Sequence, residues 1–128
     1  MENYRGECFC GSVHISIKLG YLNIYSCYCH ECQKHTGGVF MFVKAKKRPD
    51  VYPGTESLKS FYTASHGYRF FCAECGGLLF IQGNNEADFL IPVSVLDFTA
   101  EQKCRMMLID ELQHHLRPTF FRLYGRFL

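Results

Sequence analysis

Cys27-Tyr28-Cys29-His30-Glu31-Cys32 places three thiols within six residues, between the apolar-rich run Leu22 to Cys27 and the pair Gly37-Gly38. Two further cysteine pairs stand off it, Cys8-Phe9-Cys10 upstream and Cys72-Ala73-Glu74-Cys75 downstream. Seven of the eight cysteines therefore sit in tight clusters of two, three and two, which is how chains hold soft metals. A Cys-x-x-Cys turn offers two sulfurs to one ion, and Gly76-Gly77 lets the backbone fold under it. Cys-x-Cys does the same from an extended segment, where residues i and i+2 project to one face. Paired across the chain, Cys8, Cys10, Cys72 and Cys75 make one closed tetrahedral site that ties the N-terminal segment to the middle of the sequence and contributes directly to folding.

The triple cluster cannot complete a tetrahedron alone. Its fourth ligand must be a nearby histidine (His30 or His35), Cys104, or a molecule from outside. Three protein ligands and one open position is the arrangement of catalytic zinc. Three thiolates leave the ion net negative, which makes it a weak acidifier of water and favours exchange of an incoming thiolate. A disulfide within Cys-x-Cys would close a small, strained ring, so the thiols are expected to be free. His14, His66 and the His114-His115 pair read as surface residues, and Cys104 as a buried thiol.

Around these clusters the chain reads as many short strands with Gly-rich turns. Val13 to Leu19 alternates apolar and polar residues as a half-buried strand does, and Leu22 to Cys27 is a second run of strand length. Glu31 to Thr36 is expected as one helical turn stopped by Gly37-Gly38. Val39 to Val43 is continuously apolar and reads as a strand buried on both faces. Further strands are expected at Leu58 to Thr63, Tyr68 to Phe71, Leu78 to Gln82 and Phe89 to Leu96, with a short Val51-Tyr52 segment. Turns are read at Ser65-His66-Gly67 and Gly83-Asn84-Asn85, and Pro92 marks an edge or a bulge. Thr99-Ala100-Glu101-Gln102 resembles a capping box opening a short helix, and Cys104 to Ile109 reads as a last strand. The tail from Glu111 has no clean period.

The 128 residues, 48% hydrophobic and 16% aromatic, suffice for one domain (1–128) with a core of its own. A net charge of +2 does not announce a nucleic-acid partner, and the basic run Lys44 to Arg48 reads as a solvated strand end. No apolar run reaches transmembrane length. The opening Met1-Glu2-Asn3-Tyr4-Arg5 carries no apolar leader, so a cytoplasmic setting with reduced thiols is expected.

Gly6-Glu7-Cys8-Phe9-Cys10-Gly11-Ser12-Val13, then Cys27 to Gln33, then Phe71-Cys72-Ala73-Glu74-Cys75-Gly76 resemble the glutathione-dependent formaldehyde-activating family, which includes centromere protein V. The resemblance runs from about Tyr4 to Phe98. It implies a mainly β fold, a β-tent of small antiparallel sheets with few short helices around a structural zinc on Cys8, Cys10, Cys72 and Cys75. It also implies a second, catalytic zinc on Cys27, Cys29 and Cys32, hence two zincs per chain with the second the more labile. The implied activity is that of a carbon–sulfur lyase: glutathione or another thiol joins a small aldehyde, as in formation of S-hydroxymethylglutathione from formaldehyde. The reading from another class is a non-catalytic zinc module that binds a protein partner. A third, redox repair, would need Cys104 as an exposed, reactive nucleophile.

Overall fold

In a computed structural model describing residues 2–64, 67–83, 88–104 and 107–110, the chain is mainly β. Among the described residues there are ten strands and two short α-helices. β1 (Glu2–Glu7), β2 (His14–Leu19) and β5 (Asp50–Val51) form a small antiparallel sheet in the order β1-β2-β5. The remaining strands are β3 (Asn23–Cys27), β4 (Phe40–Ala45), β6 (Leu58–Thr63), β7 (Gly67–Cys72), β8 (Leu78–Gln82), β9 (Phe89–Pro92) and β10 (Met107–Asp110). They make a larger sheet in the order β10-β3-β4-β9-β8-β7-β6. All its neighbours are antiparallel except β10, which runs parallel to β3.

The alternation read in Val13 to Leu19 works as expected: Ile15, Ile17 and Leu19 are buried while Lys18 is exposed. They share one core with Tyr4 of β1 and with Val43, Ala45, Phe80 and Ile91 of the large sheet. β4 serves two cores, as a continuous apolar strand should. Val43 and Ala45 enter this first one, whereas Phe40 and Phe42 point to the other face with Cys29, Cys32 and Ile81. A bulge lets β8 do the same. Phe70 opposes Phe80 and Phe71 opposes Leu78, so Leu79 is an extra residue. Leu79 and Phe80 therefore both enter the first core, and Leu78 and Ile81 pack in the second.

α1 (His30–Thr36) is longer than the single turn expected, and it stops where Gly37 adopts φ 80° and its N–H bonds the carbonyl of Gln33. The capping box is present: Thr99 N–H donates to Gln102 Oε1 (2.8 Å) and Gln102 N–H to Thr99 Oγ1 (3.1 Å). It opens α2 (Ala100–Cys104), so Cys104 ends a helix and the last strand begins only at Met107. β9 is not an edge strand, since it lies between β4 and β8. Pro92 is tolerated as its last residue, before the 3₁₀ turn Val93–Val95, where no further ladder bond is required of it. That turn brings Leu96 to bridge Gly6. β1 escaped notice in the sequence because Glu2-Asn3-Tyr4-Arg5-Gly6-Glu7 is mostly polar; only Tyr4 and Gly6 are buried. The turn at His66, the one at Asn84-Asn85 and the tail from Glu111, with His114 and His115, lie outside the described residues.

Candidate metal centres and an adjoining cavity

The fold brings the cysteines into the two predicted groups. The sulfurs of Cys8, Cys10, Cys72 and Cys75 all lie within 4.8 Å of one another, and so do those of Cys27, Cys29 and Cys32. None of the seven forms a disulfide. Four sulfurs about 2.3 Å from a zinc ion stand about 3.8 Å apart at the edges of a tetrahedron. Cys8 to Cys10 is 3.7 Å and Cys10 to Cys72 is 3.8 Å. The four-sulfur group therefore fits a tetrahedral ion of that size.

Its backbone is arranged around the sulfurs. Cys8 follows β1 directly, and Phe9-Cys10 occupies a turn closed by Gly11 N–H to the Cys8 carbonyl (3.0 Å), not the extended segment expected. The turn works because Gly11 supplies φ 80°. Val13 N–H points at Cys8 Sγ and Glu74 N–H at Cys72 Sγ, each at 3.3 Å. The Cys10 and Gly77 amides hold the Cys75 thiol down to about 6, and the Ser12 hydroxyl lowers that of Cys10. Burial pushes Cys72 up to about 11. Gly77 runs so close beneath the group that a Cβ there would meet Cys75 Sγ at 3.3 Å.

The second group sits where β3 meets α1. Cys27 ends β3, Cys29 is the N-cap of α1, and Cys32 lies in its first turn with its N–H 3.5 Å from Cys29 Sγ. Phe40 and Phe42 (ring centroids 5.0 Å apart) and Ile81 pack against it. Crowding by Cys27, reinforced by burial, drives the Cys32 thiol well above the usual range. Three thiols packed this tightly do not all shed their protons unless a cation replaces them, so the donor set suits a divalent metal. Among the described residues no histidine or carboxylate joins the three sulfurs within that distance, so neither His30 nor His35 closes the group. The Cys104 side chain lies outside the described residues. His14 is half-exposed, 3.3 Å from Glu7.

Arg69 was not singled out from the sequence. It lies on β7, opposite Phe61 and Ile81, and is 4% exposed. Its guanidinium is 3.7 Å from Glu31 of α1, and its charge, after burial, helps hold the His35 imidazole below its ordinary value. The only sequence signal was a single charge inside an aromatic strand. The basic run is solvated from Lys46 to Arg48, although Lys44 lies 4.3 Å over the Tyr25 ring and Arg48 4.8 Å over that of Phe70.

A cavity of about 690 Å³ adjoins the four-sulfur group and the end of α1. Cys8 and Gly77 reach it from the four-sulfur side and His35 from the end of α1. The three sulfurs of the second group do not line it, but Phe40 and Leu78 belong both to its wall and to the cluster around them.

The family model for glutathione-dependent formaldehyde-activating enzyme matches residues 3–110. The chain belongs to that family. The match continues past Phe98, where the resemblance read from the sequence ends, and takes in α2 and β10. A Schizosaccharomyces pombe protein described as an uncharacterized lyase is 26% identical over 85 residues, 66% of this chain and 61% of that protein. The chain thus spans less than two thirds of that relative's length. A crystal structure of a Rhodobacter sphaeroides protein superposes with a TM-score of 0.64, covering 85% of this chain and 99% of that one at 20% identity. That likeness concerns the fold. No helix among the described residues is long and apolar enough to cross a membrane.

Proposed function

We propose that the chain is a zinc-dependent carbon–sulfur lyase that joins glutathione or another small thiol to an aldehyde. The observation that carries this reading is the three-sulfur group Cys27, Cys29 and Cys32, which has no fourth protein ligand among the described residues in a chain of this family. Cys8, Cys10, Cys72 and Cys75 would hold a structural zinc, and Cys27, Cys29 and Cys32 a second one. A zinc at the second group would supply a Lewis-acidic position at which an external thiol ionises near neutral pH.

The chain's own residues contribute the rest. Cys29 and Cys32 are held by the start of α1, so their spacing is fixed before any substrate arrives. Phe40, Phe42 and Ile81 keep water from that side of the sulfurs. Arg69, buried and 3.7 Å from Glu31, holds the first turn of α1, which carries Cys32 and is capped by Cys29. Burial and the Arg69 charge hold the His35 imidazole below its ordinary value, which favours its neutral, proton-accepting form.

The test is exchange NMR of glutathione with formaldehyde. Zinc-loaded protein should accelerate their interconversion with S-hydroxymethylglutathione, and Cys29→Ser should not. A second reading, a zinc module for a protein partner, draws support from the edge strand β6, where Phe61 and Tyr62 are exposed. Two bound zincs with no acceleration for any thiol would favour it.

A further inference from the structure

The cavity that shares Phe40 and Leu78 with the cluster around the second cysteine group is far larger than formaldehyde requires. A cavity of about 150 Å³ already accepts benzene; this one, at about 690 Å³, has more than four times that room and falls in the usual range for small-molecule sites. Val39, Met41, Leu78, Val93 and Val95 give it an apolar wall, and His35 and Thr36 supply polar groups at the end of α1. Phe9 also lines it, yet is 96% exposed. Pinned between Cys8 and Cys10, this aromatic ring stands in water at the edge of an apolar cavity, where a ligand's hydrocarbon would cover it. Phe40 and Leu78 connect the cavity to the cysteine group, since each packs against both.

We propose that this cavity receives the hydrocarbon portion of the carbonyl substrate, so that the preferred partner of the thiol is an aliphatic or aromatic aldehyde and not formaldehyde. This rests on the lyase reading. The chemistry is unchanged and balanced: the thiol sulfur forms a bond to the carbonyl carbon, the C=O π pair moves to oxygen, and the thiol proton ends on that oxygen. No electrons are exchanged with a third reactant. Each methylene buried adds about fourfold to binding, which formaldehyde cannot gain.

The test uses the zinc-loaded full chain and two measurements. Hexan-1-ol, an unreactive probe, is titrated while backbone NMR shifts are followed. Saturable shifts at Val39, Met41, Leu78 and Val93 are expected, weakened at least tenfold by Val39→Trp, which narrows the cavity. Phe9→Ser, which removes the exposed ring from the cavity's edge, should weaken them about fourfold. In the second measurement, acceleration of glutathione addition over the uncatalysed rate is compared for hexanal and formaldehyde. The hexanal-to-formaldehyde ratio should exceed ten and fall at least tenfold in Val39→Trp. Formaldehyde acceleration without saturable hexanol binding would overturn the cavity proposal and leave the lyase reading standing. Hexanol binding with neither aldehyde accelerated would refute the lyase reading, and with it the aldehyde as the cavity's ligand. A ratio unaffected by both variants would overturn the proposal as well.

Discussion

Replacing one sulfur in each group, with Cys72→Ser and with Cys29→Ser, should have opposite consequences for the fold. Cys72 is fully buried, its Sγ lies 3.8 Å from that of Cys10, and it receives the Glu74 N–H at 3.3 Å. A closed structural zinc contributes an apparent free energy of about 10–16 kcal/mol near neutral pH. The net stability of a domain is about 5–15 kcal/mol. Losing even half of the metal's contribution therefore consumes most of what holds the chain folded, and Cys72→Ser should unfold or aggregate. Cys29 is as well buried, but its local role is different. It is the N-cap of α1, with extended φ −73° and ψ 165°, and its side chain accepts the Cys32 N–H. Serine is among the preferred residues at that position, worth about 0.5–2 kcal/mol over an apolar one. The substitution removes a metal ligand while improving the cap, so Cys29→Ser should remain within about 2 kcal/mol of the parent, an N-cap-sized change, and lack the second metal. Urea unfolding followed by circular dichroism, with elemental analysis of the folded fraction, reads both effects. Unfolding of Cys29→Ser as complete as that of Cys72→Ser, or a folded Cys72→Ser with two ions bound, would contradict this division of roles.

Three further outcomes are expected. Phe80→Ala removes a fully buried ring stacked on Phe70 at 4.5 Å and should lower unfolding free energy by about 3–5 kcal/mol in denaturant titration; a loss under ~1 kcal/mol would mean that this core collapses to fill the space. Gly77→Ala places a Cβ 3.3 Å from Cys75 Sγ, so metal at the four-sulfur group should pass faster to a competing chelator; an unchanged rate would show that the turn gives way freely. His35 should titrate below 6.5 by NMR, because burial and then Arg69 disfavour its charged form. A histidine with a depressed folded pKa adds stability that is present above the unfolded value and is lost as pH falls below about 6.5. Arg69→Met should raise the His35 value, and no movement would place the guanidinium's influence elsewhere.

Much of this was legible in the sequence because it was local. The thiol spacings fixed which cysteines could share an ion, and β2 and β8 follow from runs whose apolar residues needed cover. What escaped reading was set by tertiary placement. β1 carries too few apolar residues to announce a strand and is held by pairing with β2. Pro92 reads as an edge signal, yet β9 is central, because a proline that ends a strand need not donate to it. Arg69 gave no sign of its position, since only the packing of α1 against the large sheet puts Glu31 beside it. The openness of the second group was equally beyond sequence. His30 and His35 stand close to Cys29 and Cys32 along the chain, yet in the fold neither brings a nitrogen into the group of three sulfurs.

Metal content per chain, measured on protein purified without added zinc or chelator and again after mild chelation, tests the central claim most directly. Two zincs are expected, one lost readily while the circular dichroism spectrum is retained, as befits a closed four-sulfur site beside an open three-sulfur one. A single tightly held zinc, with no second ion taken up when zinc is supplied, would contradict it.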